Sequence, residues 1–319
     1  MSRPRPHPHP HLRPRPRQAG LTLPEMMVAI AIGLAVMLAA ARLLALANGA
    51  YAAQVESAAL DDAGRYALEL VGRAVRQAAY ADPLQLDLSA PVDVLPARLE
   101  GFDARSLGSA TAGIGAPLAA VANGSDVLAV RFPGAGAGPG GDGSVLDCAG
   151  FGVAAGEEGW SIFYVAKNAD GDAELRCKYR GAANWSADAV VTGVDSFQLL
   201  YGLDTDTPRD GAANRYVNAD TIRALDTALG AGLPPQEFKR RTWWKRVVSV
   251  RIALLLHGVR PTRRERADQV FQLFGTSYAS GEAERDQGTV VREDALPDGM
   301  RRRERRLFSA TVALPAGAL

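Results

Sequence analysis

Residues 18–42 read QAGLTLPEMMVAIAIGLAVMLAAAR, and this stretch decides which fold the chain is expected to have. The run from Leu21 to Ala41 is almost entirely apolar and carries a single charge, on Glu25. At about 1.5 Å rise per residue, a helix of this length crosses a hydrocarbon core of about 30 Å. A lone carboxylate inside such a helix is unfavourable by roughly 2.5–3.5 kcal/mol at mid-bilayer. We therefore expect Glu25 to have a bonding partner.

The twenty residues before this run form a basic leader without any acidic residue. Its five arginines are Arg3, Arg5, Arg13, Arg15 and Arg17. Positive charge on one side of an apolar helix favours a cytoplasmic leader and an exported remainder. Alternating proline with arginine and histidine cannot build a packed core, so we expect the leader to be disordered.

Gly20, Leu21, Thr22 and Glu25 fill the places of a known signal. The pattern resembles the class III signal of type IV prepilins and pseudopilins, which more often have Phe or Met where Leu21 stands. The resemblance implies that a prepilin peptidase cuts between Gly20 and Leu21 and methylates the new amino group of Leu21. It also implies that Thr22 and Glu25 act in assembly, with Glu25 neutralising an N-terminal ammonium inside an apolar filament core.

Two other interpretations of the run remain open. It could be a plain signal anchor that is never cut. It could also be a secretory signal peptide, since Ala45, Leu46 and Ala47 offer a small-x-small cleavage site before Asn48. The length of the run and the presence of Glu25 favour the prepilin interpretation.

The predicted organisation has four parts. Residues 1–20 form the cleaved leader, and residues 21–42 form the transmembrane or filament-core helix. Residues 43–80 continue that helix with an amphipathic pattern, with a weak point at Asn48-Gly49. The helix should end near Asp82-Pro83, because the residue before a proline avoids the helical region. Residues 81–319 form an exported, strand-rich head.

The head has the alternation and the β-branched content of strands. We predict strands over residues 126–132, 160–166, 174–179, 194–203, 247–256 and 307–314. In the fifth, the alternation predicts one face in the core. Loops rather than helices connect these segments, so the predicted fold class is α+β, with a long N-terminal helix packed on a mainly antiparallel sheet. The hydrophobic content of 47% is enough for a sizeable core.

Cys148 and Cys177 are the only cysteines. An even pair in an exported chain favours a disulfide, and two unpaired core cysteines are the alternative. A zinc site is excluded, because the only histidine outside the leader is His257.

The sequence offers few residues that could perform catalysis or bind a metal. A catalytic triad would have to use His257, at the end of an apolar strand, and we expect neither an enzyme nor a cofactor. Asp204, Asp206 and Asp210 have the alternating oxygen ligands of a calcium loop, and so have residues 168–174 (NADGDAE). Both loops lack the spacing of an EF-hand, so we expect ordinary turns.

Three basic runs could contact nucleic acid: residues 239–246 around Trp243-Trp244, residues 260–266, and residues 301–306. Basic residues with interleaved aromatics are typical of surfaces for single-stranded DNA. We favour solvated loop ends or contacts to acidic neighbours, with DNA as the alternative partner.

The order of landmarks in the head resembles that of PilW-type minor pilins. These landmarks are residues 64–80, LDCAG and LRC around the two cysteines, residues 194–220, residues 247–256 and RRLFSATVAL. The resemblance implies a pilin-like fold and a structural subunit of type IV pili. Its implied partners are the prepilin peptidase, other minor pilins, the major pilin, the inner-membrane assembly machinery, and the lipid bilayer before assembly. A J-type pseudopilin of type II secretion and an exported adhesin on a plain anchor are the alternatives.

Overall fold

The computed structural model describes residues 20–78, 96–181, 183–263, 268–281 and 284–314. The chain divides into two units, Met1–Tyr51 and Ala52–Leu319. The leader predicted for residues 1–20 lies outside the described residues, apart from Gly20.

Helix α1 (Leu23–Gln77) begins three residues after the basic leader and passes through Asn48-Gly49 without a break. The predicted weak point there is therefore helical. The predicted end of the helix, at residues 80–83, falls outside the described residues. Within the first unit every described residue is exposed, from Gly20 to Tyr51.

The second unit contains thirteen strands among the described residues. In chain order they are β1 (Leu99–Phe102), β2 (Arg105–Ser106), β3 (Leu118–Ala119), β4 (Val127–Pro133), β5 (Glu158–Lys167), β6 (Ala173–Arg180), β7 (Trp185–Thr192), β8 (Val194–Leu203), β9 (Arg215–Val217), β10 (Val247–His257), β11 (Val270–Gln272), β12 (Val290–Arg292) and β13 (Arg305–Ala313). All six predicted strands are present, as β4, β5, β6, β8, β10 and β13.

Two antiparallel sheets carry most of the head. The first has the order β1-β4-β5-β6-β7 and the second has the order β13-β10-β8-β9. β11 pairs with β12, and β2 pairs with β3, each as a separate two-stranded sheet. The predicted α+β class with an antiparallel head is confirmed.

The C-terminal part of α1 supplies one wall of the main core. Leu60, Ala67, Val71 and Val75 are all buried there, with apolar residues of both large sheets. These positions recur at spacings of four and seven, which places them on one face of the helix.

Strand β10 corrects one prediction. The alternation predicted that only one face would be covered, but both faces are buried. Ile252 and Leu254 belong to the main core. Ala253 and Leu255, on the other face, pack with a second cluster that contains Phe271, Leu273 and Val291. This face is covered because the chain returns over it after residue 268, which no local pattern reveals.

Three short α-helices lie between strands of the second half among the described residues: α2 (Ala219–Gly230) and α3 (Pro235–Arg241) between β9 and β10, and α4 (Thr276–Gly281) between β11 and β12. Asn218 caps α2, with its side chain accepting from the N–H of Thr221. Both carboxylate oxygens of Asp103 accept from the first N–H groups of α2, those of Ala219 and Asp220. The turn after β1 is thereby fixed to α2.

Candidate functional site

The start of α1 is held by a hydrogen-bonded pair. The Glu25 carboxylate accepts from the Thr22 N–H and from the Thr22 hydroxyl, both at 2.9 Å through Oε2. A glutamate that reaches back to the N–H of the capping residue is one half of a capping box. The sequence T-L-P-E of residues 22–25 carries that signature, which the sequence analysis did not use. The Glu25 carboxylate is therefore held beside Thr22, the residue that follows Leu21.

Among the described residues of the first unit, nothing packs against the helix that follows this pair. The large apolar side chains here are exposed, including Leu21 just before the helix at 79%, and Leu23 at 76% and Met37 at 72% within it. Within the described residues, α1 is the single helix whose length and composition would allow it to cross a membrane. Exposed apolar surface of this extent requires lipid or other proteins around it.

The two cysteines form a disulfide. The Cα atoms of Cys148 and Cys177 are 5.9 Å apart, and the bond closes a separation of 29 residues. It joins the loop before β5 to the middle of β6. The prediction of a disulfide is confirmed, and the alternative of two unpaired cysteines is wrong.

Beside the disulfide, Lys178 is fully buried, and no carboxylate of the described residues pairs with it. Its ammonium donates to the carbonyl of Gly108 at 2.9 Å, the hydroxyl of Thr111 at 3.0 Å and the carbonyl of Gly113 at 2.8 Å. Burial lowers the pKa of Lys178 to about 8. This lysine fixes the loop between β2 and β3 to the outer face of the first sheet.

The first calcium candidate brings its carboxylates together. The ligand atoms of Asp204, Asp206 and Asp210 lie within 4.8 Å of one another. Asp204 is already engaged, because its two oxygens accept from the N–H groups of Asp206 and Gly211. The bond from Gly211 is the main cause that lowers the pKa of Asp204. The loop is thus an acidic turn held by its own main chain.

The second calcium candidate is an ordinary turn. Asn168 accepts from the N–H groups of Asp170 and Asp172 through one side-chain oxygen. Glu174 instead pairs with Arg176 at 2.6 Å. Among the described residues, this loop does not gather three acidic ligands.

His257 is part of a buried ion-pair network rather than of a triad. Its Nδ1 lies 3.0 Å from Oδ1 of Asp195, and Nε of Arg305 donates to Oδ2 of Asp195 at 2.7 Å. Arg305 also lies 3.3 Å from Glu293, which pairs with Arg263 at 2.7 Å. This network connects the start of β8, the end of β10 and the start of β13.

The basic runs are distributed over different environments. In residues 239–246, Trp244 is buried and the Arg246 guanidinium lies 5.0 Å from the centre of the Trp243 ring. In residues 301–306, Arg305 is buried and Arg306 pairs with Asp61 and Glu304. In the run at residues 260–266, Arg263 pairs with Glu293, and residues 264–266 fall outside the described residues. The run at 301–306 is therefore largely neutralised within the head.

Two family models match parts of the chain. A family model described as "Prokaryotic N-terminal methylation motif" matches residues 15–41, and one described as "Type IV Pilus-assembly protein W" matches residues 162–316. Together these ranges span more than half of the chain. A type IV-like pilin from Thermus thermophilus is similar in structure, at 18% identity and a TM-score of 0.38, over 82% of this chain and 97% of that chain. No curated protein sequence matches the chain significantly.

Proposed function

This chain belongs to the PilW-type pilins of the type IV family, and we propose on that premise that it is a minor pilin, a non-enzymatic subunit needed to start or assemble a pilus. One observation carries the proposal. A prepilin-type N-terminal motif lies on the exposed, apolar first half of α1, and the same chain carries a PilW-type head.

The exposed helix supports two successive environments for the protein. We infer that the bilayer covers residues 21–42 first, with the leader in the cytoplasm and the head in the periplasm. After cleavage, the helices of other minor pilins and of the major pilin replace the lipid. Both environments are apolar, and so both satisfy the exposed side chains of α1.

Glu25 is suited to the second environment. Its carboxylate is held beside Thr22 at the start of α1. The ammonium created at Leu21 by cleavage, on this subunit or on a neighbour, is the cation that would balance it in a filament core. A buried carboxylate without such a partner is strongly unfavourable.

The mature N-terminus tests the proposal. Mass spectrometry of the protein isolated from membranes should show a chain that begins with methylated Leu21. Gly20→Leu should leave the leader attached, since a peptidase pocket that accepts glycine next to the cut has no room for a larger side chain. A chain that begins at Asn48 would establish a secretory signal peptide, and an uncut wild-type chain a plain anchor. Either result contradicts the proposal.

A further inference from the structure

An apolar groove of about 970 Å³ lies between β1, α2 and α3. We call it the β1–α2 groove. Its apolar lining includes Phe102, Ile114, Phe238 and Trp244. Ligand pockets in proteins have this size and this mostly apolar character, with a few polar groups that fix orientation.

The two carboxylates of the groove are already bonded. Glu100 accepts from Arg131 at 2.8 Å. Asp226 accepts from the hydroxyl of Thr242 at 2.6 Å and from the N–H of Trp243 at 2.7 Å. These two acids are thus occupied by partners inside the head.

Two cations of the groove remain accessible. Arg223 lies over the Phe102 ring, with its guanidinium carbon 4.2 Å from the ring centre, and donates to the carbonyl of Gly101. Its only described ion pair is a long one, 3.4 Å, with the exposed carboxylate of Asp220. Lys239 is exposed at the rim, and within the described part of the chain it forms no ion pair. The groove therefore favours a ligand that is apolar on one side and acidic on the other.

The main chain of β1 adds hydrogen-bonding groups that could orient a bound peptide. Among the strands that the structure describes, β1 is an edge strand, hydrogen-bonded to β4 alone. The Arg98 carbonyl accepts from the Arg131 N–H, so in the alternating antiparallel pattern the main-chain groups of Leu99 and Gly101 point away from β4. The bond from Arg223 to Gly101 shows that this edge faces α2. An extended peptide can pair with such an edge while its side chains enter the groove.

We propose that the β1–α2 groove binds an extended acidic peptide segment of a partner protein, with apolar side chains against Phe102, Phe238 and Trp244 and carboxylates against Arg223 and Lys239. The proposal rests on the proposed function only for the source of the peptide, another subunit of the same pilus.

The test uses the full chain in a neutral detergent and a fluorescent peptide of alternating aspartate and leucine. Fluorescence anisotropy should show saturable binding, about tenfold or more tighter than binding of the matched lysine–leucine peptide. Hydrogen–deuterium exchange should slow at the Leu99 amide when the peptide is bound. Equal binding of both peptides, or no binding, overturns the proposal.

Two variants locate the site, each with a matched control. Ala231→Trp, at the exposed residue that follows α2, places a ring in the groove and should abolish binding, whereas Ala228→Trp in α2, outside the groove lining, should not. Lys239→Glu should weaken binding about tenfold, whereas Arg241→Glu, also outside the lining, should change it little. Loss of binding in both members of a pair would place the peptide elsewhere and overturn the proposal.

Other occupants of the groove are outcomes of the same experiment. Self-association that Ala231→Trp abolishes, in the absence of peptide binding, would assign the groove to a second copy of this chain and overturn the proposal. The assay does not depend on processing at Gly20. An unmethylated or uncut N-terminus together with intact peptide binding would therefore contradict the proposed function and leave the groove assignment standing.

Discussion

Gly64 of α1 lies against the ring of Phe308 in β13, so closely that a Cβ on Gly64 would be 2.3 Å from Cε2 of that ring. Glycine inside a helix is unfavourable by roughly 0.5–1 kcal/mol relative to alanine. Here that loss is offset, because glycine lets helix α1 and strand β13 approach more closely than any side chain on residue 64 would permit.

We predict that Gly64→Val lowers the free energy of unfolding by about 1–3 kcal/mol, because the added methyls force Phe308 out of place. Chemical denaturation in detergent measures this. Ala58→Val, at an exposed position of the same helix, is the control and should change stability little. The smaller change Gly64→Ala also places a Cβ against the Phe308 ring, and adding Phe308→Leu to it should relieve that clash. A Gly64→Val protein as stable as the wild type would contradict the prediction.

The disulfide gives the second prediction. Cys148→Ala should lower the stability of the head by roughly 2–5 kcal/mol, since the closed loop no longer restricts the unfolded chain. The double variant with Cys177→Ala should be no less stable than either single variant, because the same bond is lost in each. Quantitative labelling of both thiols in the native, unreduced wild-type protein would rule this account out.

The buried ion pair of Asp195 and Arg305 gives the third. The two side chains are 5% and 0% exposed. Asp195→Ala removes the closer of the two carboxylates that pair with the buried guanidinium of Arg305. It should destabilise by about 3–5 kcal/mol. The control is Asp294→Ala, whose partner Arg292 is 59% exposed; it should change stability by less than about 1 kcal/mol. Similar effects of the two variants would show that burial does not govern this pair.

Asp103 gives the pH prediction. Burial above all raises its pKa to about 7, above an unfolded value of about 3.9. The folded state therefore holds the proton more tightly, so this contribution to stability is fully present below pH 4 and is lost as pH rises to 7. Asp103→Asn should flatten the decline of stability with pH by at most about 4 kcal/mol across this window. Denaturation curves between pH 4 and 8 measure it, and identical slopes would contradict it.

Glu25 gives the last prediction. Glu25→Ala should still insert and be cleaved, because the helix becomes more apolar, but it should fail to join the pilus complex. Glu25→Gln keeps the shape without the charge and should behave nearly as badly. Met27→Ala, which changes an exposed neighbour without changing charge, should assemble normally. Co-purification with partner pilins and pilus counts are the measurements. Normal pili in both Glu25 variants would remove Glu25 from assembly.

Local patterns predicted the elements whose signals are local. The apolar run predicted α1, and the alternating β-branched segments predicted six of the seven longest described strands. Strand β7 was missed because its residues are small and only partly buried. Helix α2 was missed, although Asn218 is of a residue type that commonly caps the start of a helix.

Contacts between residues that are distant in the chain could not be predicted from a single sequence. Asp195 and Arg305 are 110 residues apart, and the close approach of Gly64 and Phe308 depends on the register of β13 against β10. The groove requires β1, α2 and α3 together. None of these pairings follows from propensity or periodicity, because each is set by how the sheets and helices pack.

The contact between α1 and β13 sets an order of events as the protein is made. The ribosome delivers α1 well before β13, and chains are synthesised at about 5–20 residues per second. Until β13 arrives, the positions of α1 around Gly64 and Gly72 lack their cover by Phe308 and Val312. The disulfide can close much earlier, when β6 has emerged. Helix α1 therefore stays uncovered around Gly64 until β13 has been synthesised. A chain stopped short of residue 305 would have a closed disulfide and an uncovered helix.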